Sequence, residues 1–196
     1  MVTIIFETHG TTTDNEKHLA SGSADVDLSK LGKKQAKELG QRRNNEAFDA
    51  IFCSGLQRSL HTAQIAFGGK LELTRSDLVS IPGRTSLSGR IPLIQDCRLN
   101  ECDYGDMTQH PSSTVDPEKP QRIATPFPNG ESYEQTSDRM KHFLQDLFAN
   151  YNGKKIMIIG HRATQYALEL WINGRPLEEV IPAVWHWQPG WTYVLK

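Results

Sequence analysis

No run of apolar residues in this chain approaches the roughly 20 that a membrane-spanning helix needs, so nothing in the sequence inserts into a bilayer. Cysteine is scarce and odd in number. Cys53, Cys97 and Cys102 do not pair off into a disulfide framework, and no signal-like or Arg-rich amphipathic segment precedes the first apolar run. Both features point to a reducing cytoplasm. A tightly spaced CxxC pair is also missing. Cys97, Cys102 and His110 are the nearest approach to a ligand set, and lacking a fourth member they read as buried thiols and a loop histidine, with no metal and no cofactor expected. Neither sign of charge prevails, since 22 Lys and Arg stand against 23 Asp and Glu. No global field therefore draws in nucleic acid or anionic lipid, and any positive potential must be local to a site. The glycine-rich phosphate loop, the GxGxxG fingerprint, the GxSxG turn and internal repeats are all lacking.

What is present is a chain of 196 residues with ordinary apolar and charged fractions. That length supports one sizeable core, so a single domain spanning 1–196 is expected. Its most informative stretch is Ile4-Ile5-Phe6-Glu7-Thr8-His9-Gly10-Thr11-Thr12-Thr13-Asp14-Asn15, a β-branched apolar run that stops at a histidine and a polar loop. A second run ends the same way, Ile156-Met157-Ile158-Ile159-Gly160-His161-Arg162. Ligands bind at the carboxyl ends of strands in open α/β sheets, so two strands each ending in His place two imidazoles where chemistry happens.

Between these runs the periodicity predicts a surface helix over 30–43 capped by Ser29, a buried strand over 50–54, and a helix over 55–67 with Arg58 in its first turn. A helix start offers free N–H groups to an anion, and Arg58 adds a planar fork to them. His61 reads as a partly exposed helical residue. Residues 68–92 read as an inserted loop containing a possible short strand at Leu71-Glu72-Leu73. Asn100-Glu101-Cys102-Asp103-Tyr104-Gly105-Asp106 is an acidic loop in which a carboxylate serves as a proton donor or as a loop cap, and position in the fold has to decide. The five prolines of 111–128 mark a long connection, a lid in one reading. A helix follows over 133–151 with Met140, Phe143, Leu144, Leu147 and Phe148 as its core stripe, then the central strand at 156–159, a helix over 163–172, and a closing edge strand over 185–195. Trp185, Trp187 and Trp191 read as core or rim packing, because no basic residues interleave with them.

This order of elements resembles the histidine phosphatase superfamily, the phosphoglycerate-mutase-like proteins, over nearly the whole chain. The family's Arg-His-Gly-Glu-Thr with a later Asn appears as Thr8-His9-Gly10-Thr11-Thr12 and Asn15. Its Ser-x-Leu-x-Arg-x-x-x-Thr-Ala helix start appears as Ser54 to Ala63, its Leu-x-Glu-x-x-x-Gly loop as Leu99 to Gly105, its Gly-Glu-Ser as Gly130-Glu131-Ser132, and its late Gly-His as Gly160-His161. The resemblance implies a three-layer α/β/α sandwich with a mostly parallel central sheet. It also implies a metal-independent phosphomonoester hydrolase that acts on a small phosphorylated substrate through a phosphohistidine. His9 would then be the nucleophile, Glu101 the acid, and Arg58, His161 and Asn15 the phosphate holders.

The departure is at position 8, where Thr8 stands in place of the family's arginine, with Thr11 in place of its usual Glu. One lost preorganised donor costs about 10²–10³ in rate, so a slow phosphatase is expected. Either Arg162, next to His161, swings into the vacated space, or Thr8, Thr11 and Thr12 line a less cationic pocket. A non-catalytic phospho-ligand binder and a phosphoglycerate-type mutase are the alternatives.

Overall fold

The computed structural model describes residues 1–74 and 89–196. Six strands, β1 (Val2–Thr8), β2 (Ala50–Cys53), β3 (Leu71–Thr74), β4 (Ile91–Gln95), β5 (Lys155–Gly160) and β6 (Trp191–Leu195), form one sheet in the order β3-β4-β2-β5-β1-β6. All neighbours run parallel except β6, which returns antiparallel along β1. The central strand β2 and the Ile156–Ile159 stretch of β5 are apolar and buried because both of their faces are covered. Ile51, Met157 and Ile159 face a layer containing Leu39, Ala63 and Phe67. Phe52, Ile156 and Ile158 face Met140, Phe143, Leu144, Ala167 and Leu168. Helices α2 (Lys30–Arg42) and α3 (Gln57–Phe67) supply the first layer, and α5 (Tyr133–Asn150) and α6 (Arg162–Asn173) the second. The result is the expected three-layer α/β/α sandwich. The short helices α1 (Thr13–Glu16), α4 (Ser112–Val115) and α7 (Leu177–Val180) lie in the connections.

Local chemistry sets the helix ends. Ser29 accepts from Gly32 N at 3.2 Å to start α2, and Ser132 exchanges bonds with Gln135 to start α5, each cap satisfying N–H groups that have no partner in the first turn. Two expectations need correction. The closing strand begins at Trp191, because Pro189 and the left-handed Gly190 interrupt any extended ladder before it. Residues 185–190 are irregular and lie over the end of β1. Phe148 sits on the outer side of α5, 40% exposed, so the core stripe of that helix stops at Leu147. The possible strand at 71–73 is real and forms a sheet edge; most of the remainder of the supposed insertion, 75–88, lies outside the described residues.

Candidate active site

The parallel pairing of β1 with β5 puts Thr8 opposite Gly160, so both strands end level and each hands its next residue, His9 and His161, to the same edge of the sheet. The two rings stand with centroids 5.0 Å apart, a spacing that one phosphoryl group can bridge. His9 N donates to Gly160 O at 3.1 Å, and Gly10 N donates to Thr62 Oγ1 at 3.0 Å. Gly10 is obligatory, because a Cβ there would lie 2.6 Å from the Gly32 carbonyl oxygen at the start of α2. The loop after β1 is thus fastened to three elements.

His9 Nδ1 lies 2.7 Å from its neighbour's carbonyl, Gly10 O. A carbonyl only accepts, so Nδ1 carries the proton and the lone pair is left on Nε2. Burial and the Arg58 charge bring the His9 pKa down to about 3, which keeps the ring neutral at pH 7. His161 is 1% exposed, and burial, Arg58 and His9 hold its pKa well below the usual histidine value. Its Nε2 is 2.8 Å from Ser54 Oγ. That hydroxyl accepts from Leu56 N, and among the described residues His161 Nε2 is the acceptor in reach of its own hydrogen, so the imidazole proton is assigned to Nδ1. Among the described residues this buried Nδ1 has no partner. An orphaned buried donor is costly unless a ligand meets it.

Arg58, the second residue of α3, is 1% exposed and its Nη atoms donate to Ala24 O and Gly22 O, both at 2.7 Å. These bonds fix the plane of the guanidinium and leave further N–H groups available to an anion. One turn later Thr62 accepts from Gly10 N and donates back to Arg58 O. The Arg-x-x-x-Thr spacing therefore couples the cation on α3 to the loop that carries His9. Glu101 is buried, and its Oε1 accepts from Cys102 N at 2.8 Å and from Ala163 N, at the start of α6, at 3.2 Å. The two backbone donors set the direction of the carboxylate without using Oε2.

The loop that holds Glu101 is clamped by a residue the sequence reading did not single out. Arg139 on α5 donates to the carbonyls of Arg98, Asn100 and Glu101 and pairs through two nitrogens with Glu131. Glu131 also accepts from Asp103 N, which explains why Gly130-Glu131-Ser132 precedes the helix. The visible clue was a carboxylate eight residues ahead of an arginine on a helix, but nothing in that spacing names the loop they bind.

His9, Arg58, Glu101, His161, Thr8, Asn15 and Arg162 all line one cavity of about 570 Å³. Asn15 spends its Oδ1 on Thr12 N at 3.0 Å as part of the cap of α1, leaving Nδ2. The Arg162 guanidinium lies between the rings of Tyr166 and Trp185, 4.9 Å from each centroid. It donates to Tyr166 Oη at 3.0 Å and to Gln165 Oε1 at 3.4 Å. His61 is half-buried and pairs with Asp27 at 2.6 Å, outside this group.

Comparison with known proteins bears on this geometry directly. The model of the histidine phosphatase superfamily (branch 1) matches residues 4–78 and 84–188, a span that holds both strand-end histidines, Arg58 and Glu101. The chain belongs to the histidine phosphatase superfamily. Among curated relatives, an uncharacterized phosphatase PhoE of Bacillus subtilis is 28% identical over 174 residues, covering 89% of this chain and 79% of its own. A 2,3-bisphosphoglycerate-dependent phosphoglycerate mutase of Chlamydia muridarum is 29% identical, covering 95% of this chain and 94% of its own. The solved structure of YhfR from Bacillus stearothermophilus superposes with a TM-score of 0.75 at 24% identity, covering 96% of this chain and 88% of that one. At that identity the superposition speaks for the phosphoglycerate-mutase-like fold. Among the described residues no helix is long and apolar enough to cross a membrane.

Proposed function

We propose that this protein is a metal-independent phosphomonoesterase that works through phospho-His9 on a small phosphorylated substrate. The observation that carries the reading is the pair of neutral imidazoles at adjacent strand ends, one with a lone pair on Nε2 and the other with an unpartnered N–H, beside a buried arginine. His9 Nε2 attacks phosphorus in line, the ester P–O bond breaks, and the departing alkoxide takes the proton of Glu101. Water then attacks phosphorus, gives its proton to the Glu101 carboxylate, and the P–N bond breaks to release phosphate and neutral His9. Charge on the equatorial oxygens is met by Arg58, His161 Nδ1–H, the Asn15 amide and the Thr8 hydroxyl. The depressed pKa of His9 keeps the nucleophile unprotonated throughout the physiological range.

Arg162 belongs to this machinery at one remove. Its two ring contacts and its bond to Tyr166 favour a place on the cavity wall over a place on the phosphoryl group, so Thr8 leaves the phosphate pocket one cation short. A chelator-treated sample incubated with an aryl phosphate tests the reading. Turnover is expected, lost in His9→Ala and slowed in Glu101→Gln; turnover indifferent to His9 refutes it.

The mutase reading draws on the relative of that name. It requires a phospho-His9 that outlives exposure to water, and incubation with a phosphoglycerate distinguishes the two: inorganic phosphate for the hydrolase, the isomeric ester for the mutase. A pure binder would retain saturable phosphate binding while never acquiring a phosphoryl group.

A further inference from the structure

The irregular segment between α7 and β6 carries its aromatic rings to the mouth of the cavity. Trp187 is 60% exposed and lines that cavity beside Trp185, Arg42 and Arg162. A single exposed indole needs no explanation in itself, but this one sits on a built support. Trp185 Nε1 donates to Gln165 Oε1 at 3.0 Å, and its ring stacks on Trp191 with 27° between the planes. Arg43 donates to Pro189 O at 2.9 Å while pairing with Glu7. Gly190, at a φ of 86°, packs its backbone against that ion pair, where a Cβ would collide with both Arg43 and Glu7. Glu7 is 3% exposed, is held by Arg42 as well, and directly precedes Thr8 on β1. The strand that delivers His9 therefore also anchors the segment that carries Trp187.

The chemistry of this wall is specific. Trp187 presents an open indole to the cavity, the Arg42 guanidinium lies 5.8 Å from its centroid, and Arg162 is held in a second aromatic stack alongside. Stacking rewards a flat ring, and the neighbouring guanidinium groups of Arg42 and Arg162 reward acceptor atoms on that ring. An open-chain polyol has no flat face to offer, and a cationic alcohol meets two arginines.

We infer that Trp187, with the Trp185–Arg162 stack and Arg42, forms the subsite for the alcohol part of the substrate, and that this alcohol carries a planar aromatic ring. The inference rests on the phosphatase reading for its substrate, but its support is independent of any catalytic residue.

Ethyl phosphate and 2-phenylethyl phosphate test it, because both leave as primary alcohols and differ in the ring. The ratio of their kcat/KM values is expected to favour the ring-bearing ester by about tenfold or more, the range that single stacking contacts supply. Trp187→Ala should bring the ratio close to one, and Trp187→Phe should keep most of it. A wild-type ratio near one, or a ratio that survives Trp187→Ala, overturns the subsite. The matching phosphonates, which are not hydrolysed, provide a readout free of turnover through tryptophan fluorescence. Tighter binding of 2-phenylethylphosphonate than of ethylphosphonate, lost in Trp187→Ala, supports the subsite even if neither ester is cleaved, and then the hydrolase reading alone fails. Equal cleavage of both esters with equal phosphonate affinity overturns the subsite and leaves the hydrolase reading standing.

Discussion

Replacing Thr8 by arginine should raise turnover of a simple phosphomonoester, and the structure lets the size of the effect be weighed against the competing role of Arg162. For Arg162 to serve the phosphoryl group it would leave two aromatic rings, each 4.9 Å from its guanidinium carbon, and the Tyr166 hydroxyl at 3.0 Å. Each ring contact is worth about 0.5–1 kcal/mol, and the hydrogen bond about 0.5–1.5 kcal/mol, so departure costs roughly 1.5–3.5 kcal/mol, centred on about 2.5 kcal/mol. A transition-state donor returns about 2.7–4 kcal/mol. The difference, about 1 kcal/mol, amounts to roughly fivefold in rate. Arg162→Ala should therefore lower kcat/KM on ethyl phosphate by no more than about tenfold, whereas Thr8→Arg, which supplies a cation from the strand end itself, should raise it by about 10- to 100-fold. Steady-state kinetics on the two variants and the double variant are the assay. A loss of 100-fold or more in Arg162→Ala, with no gain in Thr8→Arg, would refute the reasoning and return Arg162 to the phosphate.

Further outcomes follow from the clamp, the acid and the histidines. Arg139→Ala removes the donors that hold the Glu101 loop and leaves Glu131 unpaired; it should cost about 2 kcal/mol, read as a fall in Tm of roughly 4–8 °C, with kcat dropping more than KM rises. An unchanged Tm would show that the loop holds itself. Glu101→Gln should lower kcat/KM, which reports the step that releases the alcohol, far more for alkyl phosphates than for a nitrophenyl phosphate, whose leaving group needs no proton; an equal drop in kcat/KM would remove Glu101 as the acid. Both buried histidines bind a proton in the unfolded chain near pH 6.5, yet in the fold His9 stays neutral down to about pH 3 and His161 also resists protonation. The unfolded state therefore holds more protons in that window, and stability falls as pH drops through it, by up to about 1.4 kcal/mol per pH unit per histidine. Urea midpoints at pH 7 and pH 5 should show this decline, reduced in His161→Gln; an identical decline in that variant would show that His161 titrates normally.

Much of the fold was legible because its signals are local. The apolar run at 156–159 had to be covered on both faces, the run at 50–54 read as a buried strand, and the cap at Ser29 marked a helix start. The strand-end histidines were legible for the same reason, since a run that stops at His in a parallel sheet leaves that side chain at the sheet edge. What was not legible depends on partners distant in sequence. Trp185 reads as rim packing and does stack on Trp191, but the cations over Trp187 and Trp185 arrive from α2 and α6 as Arg42 and Arg162, far from them in sequence. Arg139 gave no sign of its role, because its acceptors are backbone carbonyls some 40 residues earlier. The alternation of large residues over 185–195 predicts an eleven-residue closing strand, and Pro189 and Gly190 shorten it to Trp191–Leu195.

The central claim, that His9 takes the phosphoryl group, is tested most directly by trapping it. The protein is mixed with an aryl phosphate, quenched into base within milliseconds, digested, and examined by mass spectrometry for a phosphoryl group on the peptide that carries His9. The expected result is a base-stable, acid-labile label on His9 that is absent from His9→Ala and appears in a burst before steady-state release of phosphate. Phosphate released with no label on His9 in wild type, or with the same burst in His9→Ala, would contradict it.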